Sequence, residues 1–180
     1  MVKYIYVIRH CEAQGQSSAA FFTEDGFQQA EDLADFFADI KIDRIIASPF
    51  SRATQTIEPL SNRKNINIEI DERLSERILS TRDLPDWYEK LQATFTNMEL
   101  KFDGGESSSE AMKRIVHVVE ETFQSDAEHS IIVSHGNIIT LLLKHYNNDV
   151  DFKVWRNLSN PDIFQLSTKH NEIILERVWK

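Results

Sequence analysis

The strongest constraint on this chain is that two short apolar runs, far apart in sequence, each end in a histidine. Tyr4-Ile5-Tyr6-Val7-Ile8 runs straight into Arg9-His10, and Ser130-Ile131-Ile132-Val133 runs into Ser134-His135-Gly136-Asn137. Runs of β-branched and aromatic residues bounded by polar turns read as buried strands. Each strand therefore delivers polar residues to its C-terminal end, the edge at which open α/β sheets bind ligands. As parallel neighbours, the two strands would set His10 and His135 face to face. Gly136 removes side-chain bulk and Asn137 is placed to cap the next helix, which predicts backbone N–H groups open to an anion beside His135. Two imidazoles, an arginine and a helix N-terminus in one cleft describe a phosphate site.

The chain between these strands alternates helical and extended patterns. Thr23 reads as the N-cap of a helix whose core stripe is Phe27, Ala30, Leu33, Ala34, Phe37 and Ile40. Asp43 to Ala47 is a second strand, and Ser48-Pro49 turns it into a helix carrying Arg52. Pro59 falls inside that helix, where it is expected to shorten or kink it. Ile66 to Ile70 alternates as a third strand, and the residues after it bring Glu76 to the same edge. Residues 77–105 read as a lid insertion in which Asp86 to Met98 is helical and Arg77, Arg82 and Trp87 set specificity. Ser107 and Glu110 form a capping-box pattern before Ala111, Ile115, Val118, Val119 and Phe123. Ile138 to Leu143 is apolar almost all round and predicts a buried helix. Two closing strands, Ile163 to Ser167 and Ile173 to Val178, form a hairpin turning at Lys169-His170-Asn171.

A chain of 180 residues fits one domain with a substantial core. Its first apolar run is too short, and too soon followed by Arg9, to be a secretion signal or a membrane span. A single cysteine excludes an internal disulfide framework and suits a reducing compartment, so a cytoplasmic location is expected. The net charge of -9 argues against nucleic acid, which usually needs a basic face. The expected partner is a small phosphorylated metabolite, held by a local arginine cluster.

Residue types define the chemistry. A neutral imidazole can take a phosphoryl group covalently, and His10 at a strand end has the required exposure. The transferring phosphoryl spreads negative charge over its oxygens, and Arg9, Arg52 and His135 supply fixed positive or donor groups. Arginine suits this because its planar fork binds two phosphate oxygens at once. The departing alkoxide needs a proton, for which Glu76 is the candidate among Glu12, Glu72, Glu76 and Glu106 at that edge. Gln16, Gly136 and Asn137 are candidate phosphate or substrate contacts. His117, flanked by charge on a polar helix face, reads as surface.

Five ordered motifs carry a resemblance: Arg9-His10, Ser48-Pro49-Phe50-Ser51-Arg52-Ala53-Thr54-Gln55-Thr56, Leu74-Ser75-Glu76, Gly104-Gly105-Glu106-Ser107, and Ser134-His135-Gly136. Together they are similar to the histidine phosphatase superfamily, in its phosphoglycerate-mutase-like branch. The resemblance implies an α/β three-layer sandwich, with a mostly parallel central sheet, helices on both faces and a C-terminal hairpin. It implies a phosphohistidine on His10 that water later cleaves, with the same roles for Arg9, Arg52, Glu76 and His135 and no cofactor. The chain departs from the family pattern at Cys11, where glycine is usual, and at Gln16, where asparagine is usual.

Rival chemistries lack their residues. A cysteine phosphatase needs an arginine six positions after Cys11, where Ser17 stands. No His-x-His, His-Glu-x-x-His or paired aspartates accompany His10 and His135, so no metal is expected. The P-loop pattern is absent. A catalytically weak phosphate-binding protein would have no need of a proton donor. The short stretch from Glu76 to Gly104 favours a phosphatase over a phosphoglycerate mutase, whose insertion there is longer.

Overall fold

The computed structural model describes residues 1–180, and its elements alternate as the apolar patterning requires. Strand β1 (Tyr4–Arg9) is followed by helix α1 (Glu24–Phe36), β2 (Arg44–Ala47), α2 (Ser51–Lys64) and β3 (Ile68–Ile70). A single 3-10 turn at Glu72–Leu74 leads towards α3 (Trp87–Thr96), α4 (Ser108–Gln124) and β4 (His129–Ser134). Helices α5 (Gly136–Tyr146) and α6 (Phe152–Arg156) precede the hairpin of β5 (Asp162–Lys169) and β6 (Glu172–Arg177). The strands form one sheet in the order β3-β2-β4-β1-β5-β6. The first four strands run parallel, and β5 lies antiparallel to both β1 and β6.

Register explains why the two histidines meet. Tyr4 pairs with His129 and Arg9 with Ser134, and the His10 N–H continues the ladder by donating to the Ser134 carbonyl at 3.1 Å. Both strands therefore end level. Alternation along the strands splits the core into two halves. Ile5, Val7, Ile46, Ile132 and Leu166 pack against α3, α4, α5 and α6; Tyr6, Ile8, Ile45, Ile131 and Val133 pack against α1 and α2. Burying each such side chain is worth about 1.5–3 kcal/mol, so a sheet apolar on both faces has to be covered on both. That fixes the three layers.

Local signals hold where the backbone needs them. Thr23 Oγ1 accepts from the Gly26 N–H at 3.1 Å, and Ser107 Oγ accepts from the Glu110 N–H at 3.1 Å; such caps are worth about 1 kcal/mol each. The turn between β5 and β6 places His170 and Asn171 at positive φ, the conformation a two-residue hairpin turn demands.

Four expectations need correction. Phe27 is 58% exposed and leaves the α1 stripe, because its ring packs edge-on against Phe22 of the preceding loop. Pro59 does not shorten α2, which continues to Lys64; the buried side chains of Ile57 and Leu60 on either side hold the helix together despite the missing N–H. The third strand shrinks to Ile68–Ile70, and Ile70 is exposed, since β3 is a sheet edge paired on one side only. Arg77 is not on the lid surface but buried. No helix is long and apolar enough to cross a membrane.

Candidate active site

His10 leaves β1 with its imidazole locked in one tautomer. Nδ1 lies 2.7 Å from the Cys11 carbonyl, an acceptor, so Nδ1 carries the proton. Nε2 therefore keeps its lone pair and accepts from Arg52 Nε at 3.2 Å. Burial holds the ring's pKa down at about 3, against the Cys11 hydrogen bond and with help from the Arg52 and Arg9 charges. His10 is a neutral base at neutral pH.

The two arginines are held by backbone oxygens. Arg52, on the first turn of α2, donates to the Gln16 and Ser17 carbonyls at 3.2 and 2.8 Å. Arg9 donates weakly to the Leu158 and Ser159 carbonyls, and its Nε is buried without a partner. No carboxylate hydrogen-bonds to either, so their charges stay available to an anion. Gly136 makes Arg9's position possible: a Cβ there would sit 2.9 Å from Arg9 Nε.

His135 is fully buried behind His10, with ring centroids 5.2 Å apart. Ser48 Oγ lies 2.8 Å from its Nε2 and itself accepts from the Phe50 N–H. Nε2 and the hydroxyl thus share one hydrogen bond, and Nδ1 is buried without a partner.

Glu76 corrects the prediction of an open helix end. Its Oε2 accepts from the Asn137 N–H at 3.0 Å, and Oε1 accepts from the Ile138 and Arg77 N–H groups at 2.9 and 2.7 Å. The group at the α5 N-terminus is the protein's own Glu76 carboxyl. Asn137 is no cap either: it lies inside α5, and the N-cap is His135 with no side-chain bond. Oε2 accepts one hydrogen bond where Oε1 accepts two, so Oε2 is the oxygen with room for a proton.

The loop bearing Glu76 is clamped from α4. Arg114 donates to the Arg73, Ser75 and Glu76 carbonyls and pairs with Glu106. Glu106 in turn accepts from the Ile78 N–H at 3.1 Å. The Gly104-Gly105-Glu106-Ser107 motif is therefore a brace. A Cβ on Gly105 would sit 2.1 Å from the Leu79 carbonyl oxygen.

Arg9, His10, Gln16, Arg52, Glu76 and Gly136 line one polar cleft of about 160 Å³ with Glu12, Trp155 and Asn160. His135 sits behind its wall, and Asn137 faces an adjoining pocket instead. The sequence profile of the histidine phosphatase superfamily (branch 1) matches residues 5–179. The chain belongs to that superfamily. Its family makes it a phosphatase-type hydrolase. A protein of Hydrogenobacter thermophilus named "Putative phosphoserine phosphatase 2" is 28% identical over 77% of this chain and 75% of its own length. The probable phosphoglycerate mutase of Erwinia tasmaniensis is 28% identical over 77% and 72%. The native structure of mycobacterial glucosyl-3-phosphoglycerate phosphatase superposes with a TM-score of 0.78 at 21% identity, over 99% of each chain; it shows the shared fold.

Two residues of this histidine phosphatase went unnoticed in the sequence. Asn160 Nδ2 donates to the His10 carbonyl at 2.9 Å, steadying the backbone at that residue. Asp162, fully buried, accepts from the Ser159 and Ile163 N–H groups and from both ends of the Arg177 guanidinium. Asn160-Pro161-Asp162 is a composition that favours a turn, but only the position of β5 beside β1 brings it under the site. Cys11, the departure from the family pattern, is buried beside Phe22 and Ala30, with its backbone N–H donating to Thr56 Oγ1 at 2.8 Å. Burial pushes its thiol up to about 12.

The buried neutral imidazoles make stability acid-sensitive. His135, like His10, is held well below its ordinary range, by burial first and then by neighbouring positive groups. The unfolded chain takes up protons on both near pH 6.5, so at pH 5 it binds more protons than the native state does. Stability is then full above about pH 7 and falls as pH drops through 6.5, by about 1.4 kcal/mol per pH unit per histidine at most. The urea midpoint should drop between pH 7 and pH 5, and His10→Asn should lessen the drop. An equal drop in that variant would show that His10 contributes nothing to it.

Proposed function

We propose that the protein hydrolyses a small phosphomonoester through a phosphohistidine on His10. The observation that carries this reading is the fixed tautomer, which leaves the lone pair on Nε2 of a residue lining the polar cleft, engaged at rest by Arg52 Nε. In the first step Nε2 attacks phosphorus, the ester P–O bond breaks, and Glu76 Oε2 passes its proton to the leaving oxygen. In the second step water attacks phosphorus, the P–N bond breaks with its electron pair returning to Nε2, Glu76 takes the proton from that water, and His10 returns neutral. Arg9 and Arg52 bind the equatorial oxygens, while His135 backs the His10 ring from behind the cleft wall. Gln16 and Gly136 border the phosphoryl group, while Asn137 contacts the alcohol side.

The whole chain works as one domain in this reading, with residues 77–105 as a lid carrying α3 over the cleft. A cytoplasmic setting suits its one unpaired, buried cysteine. Rapid quench with labelled ester should trap phosphate on His10 in a form stable to base and lost in acid. Label on another residue, or turnover without label, would overturn the phosphohistidine. The mutase relative makes 3-phosphoglycerate the comparison substrate: release of phosphate should outrun isomerisation.

No three His, Cys, Asp or Glu side chains converge to hold a metal. Dialysis against a strong chelator should leave the rate unchanged, and a loss restored by zinc, manganese or magnesium would move the protein to another mechanism.

A further inference from the structure

Next to the phosphate cleft lies a second cavity of about 370 Å³, and the two share Gln16, Glu76 and Trp155 as walls. An ester whose phosphorus sits at His10 and whose leaving oxygen faces Glu76 would extend its alcohol into this cavity. Its other walls are Leu79, Trp87, Leu91, Asn137 and Arg77. The aromatic side is built and supported. Trp155 stacks on Phe152 with centroids 5.2 Å apart, Tyr88 packs edge-on against that Phe152, and Trp87 packs edge-on against Tyr88.

The cavity also lacks something. Its single cation, Arg77, is 5% exposed; its terminal nitrogens donate to the Thr94 and Ser108 hydroxyls and to the Glu106 carbonyl, and its Nε is buried without a partner. The lid's remaining basic groups are committed elsewhere, Arg82 to Asp103, Lys90 to Asp86 and Lys101 to Glu110. An alcohol bearing a carboxylate would exchange its hydration for a cavity that presents no exposed cation to it, since Arg77 is buried. A flat apolar group would instead displace water from tryptophan and leucine surface.

Deepening the phosphatase reading and resting on it, we infer that the substrate is a phosphomonoester of an uncharged alcohol carrying a flat apolar or aromatic group. Phosphorylated carboxylic acids such as phosphoserine and phosphoglycerate are then poor substrates, although relatives of this chain are named for them. Discrimination of this kind is worth roughly 10–200-fold in kcat/KM.

The test compares kcat/KM for 2-phenylethyl phosphate, ethyl phosphate, phosphoserine and 3-phosphoglycerate. The phenylethyl ester should lead ethyl phosphate by about 10-fold or more, with both acids below ethyl phosphate. Trp87 is half-exposed, so its replacement is compatible with folding. Trp87→Ala should shrink the phenylethyl-to-ethyl ratio several-fold, and Trp87→Lys should in addition raise 3-phosphoglycerate relative to ethyl phosphate. Faster turnover of either acid by the parent protein would overturn the inference, as would a ratio unmoved by Trp87→Ala, and both outcomes would leave the phosphohistidine intact. If none of the four esters is hydrolysed and no phosphohistidine forms, the phosphatase reading falls and this one with it.

Discussion

His10→Ala is expected to lower kcat on every phosphomonoester by about 10⁴-fold or more, the scale on which removal of a covalent nucleophile acts. No neighbour can replace it. His135 is fully buried with its Nε2 engaged by Ser48, and the Cys11 thiol is buried on the α1 side and held protonated by burial. The variant loses the Nδ1–H bond to the Cys11 carbonyl, worth about 1 kcal/mol, while β1 keeps its full ladder with β4 and β5. Circular dichroism and the urea midpoint should report a folded protein. A folded variant with turnover within tenfold of the parent would sink the nucleophile.

Glu76→Gln should separate substrates by their leaving groups. An alkoxide has to be protonated as it departs, whereas a nitrophenolate leaves as the anion, so the loss should reach ~10²-fold or more on an alkyl phosphate and far less on p-nitrophenyl phosphate. The side chain also carries structure. The glutamine oxygen can keep the Arg77 and Ile138 N–H groups, but its amide nitrogen cannot accept from the Asn137 N–H now bound by Oε2. An unpaired buried donor costs about 1–3 kcal/mol, so a lowered urea midpoint should accompany the kinetic change. Equal rate losses on both esters would make Glu76 an organiser of the site and not its acid. Glu12, a neighbour in the cleft, is the rival, and Glu12→Gln showing the leaving-group dependence would reassign the role. Glu106→Gln is a poor control, because Glu106 holds Arg114, which holds the Glu76 loop.

The layers and the gathering of Arg9, His10, Arg52 and Glu76 were legible because they depend on period and order. Apolar runs ending in polar residues specify a strand and its functional end, and parallel strands put those ends on one edge. What failed depends on partners distant in sequence. Asn137 next to a helix start looked like a cap, yet the carboxylate that occupies those N–H groups arrives from a different loop. Arg77 looked like a lid residue, yet Thr94 and Ser108 draw it inward. Phe27 had helical spacing but met Phe22 instead of the core. Asn160 could be read as a turn residue, while its bond to His10 exists only because β5 lies beside β1.

The place of β1 in the sheet also sets an order of events during synthesis. Its neighbours are β4 and β5, so the first strand to leave the ribosome is among the last to be paired. At about 5–20 residues per second, Tyr4 to Ile8 waits several seconds or longer before His129 to Ser134 exists. Throughout that interval an aggregation-prone β-branched segment has no partner in its own chain. Contacts this distant in sequence also slow refolding, because the loop must close before they form. Activity should therefore return with the last, global phase of refolding, and no fragment ending before β4 should show any.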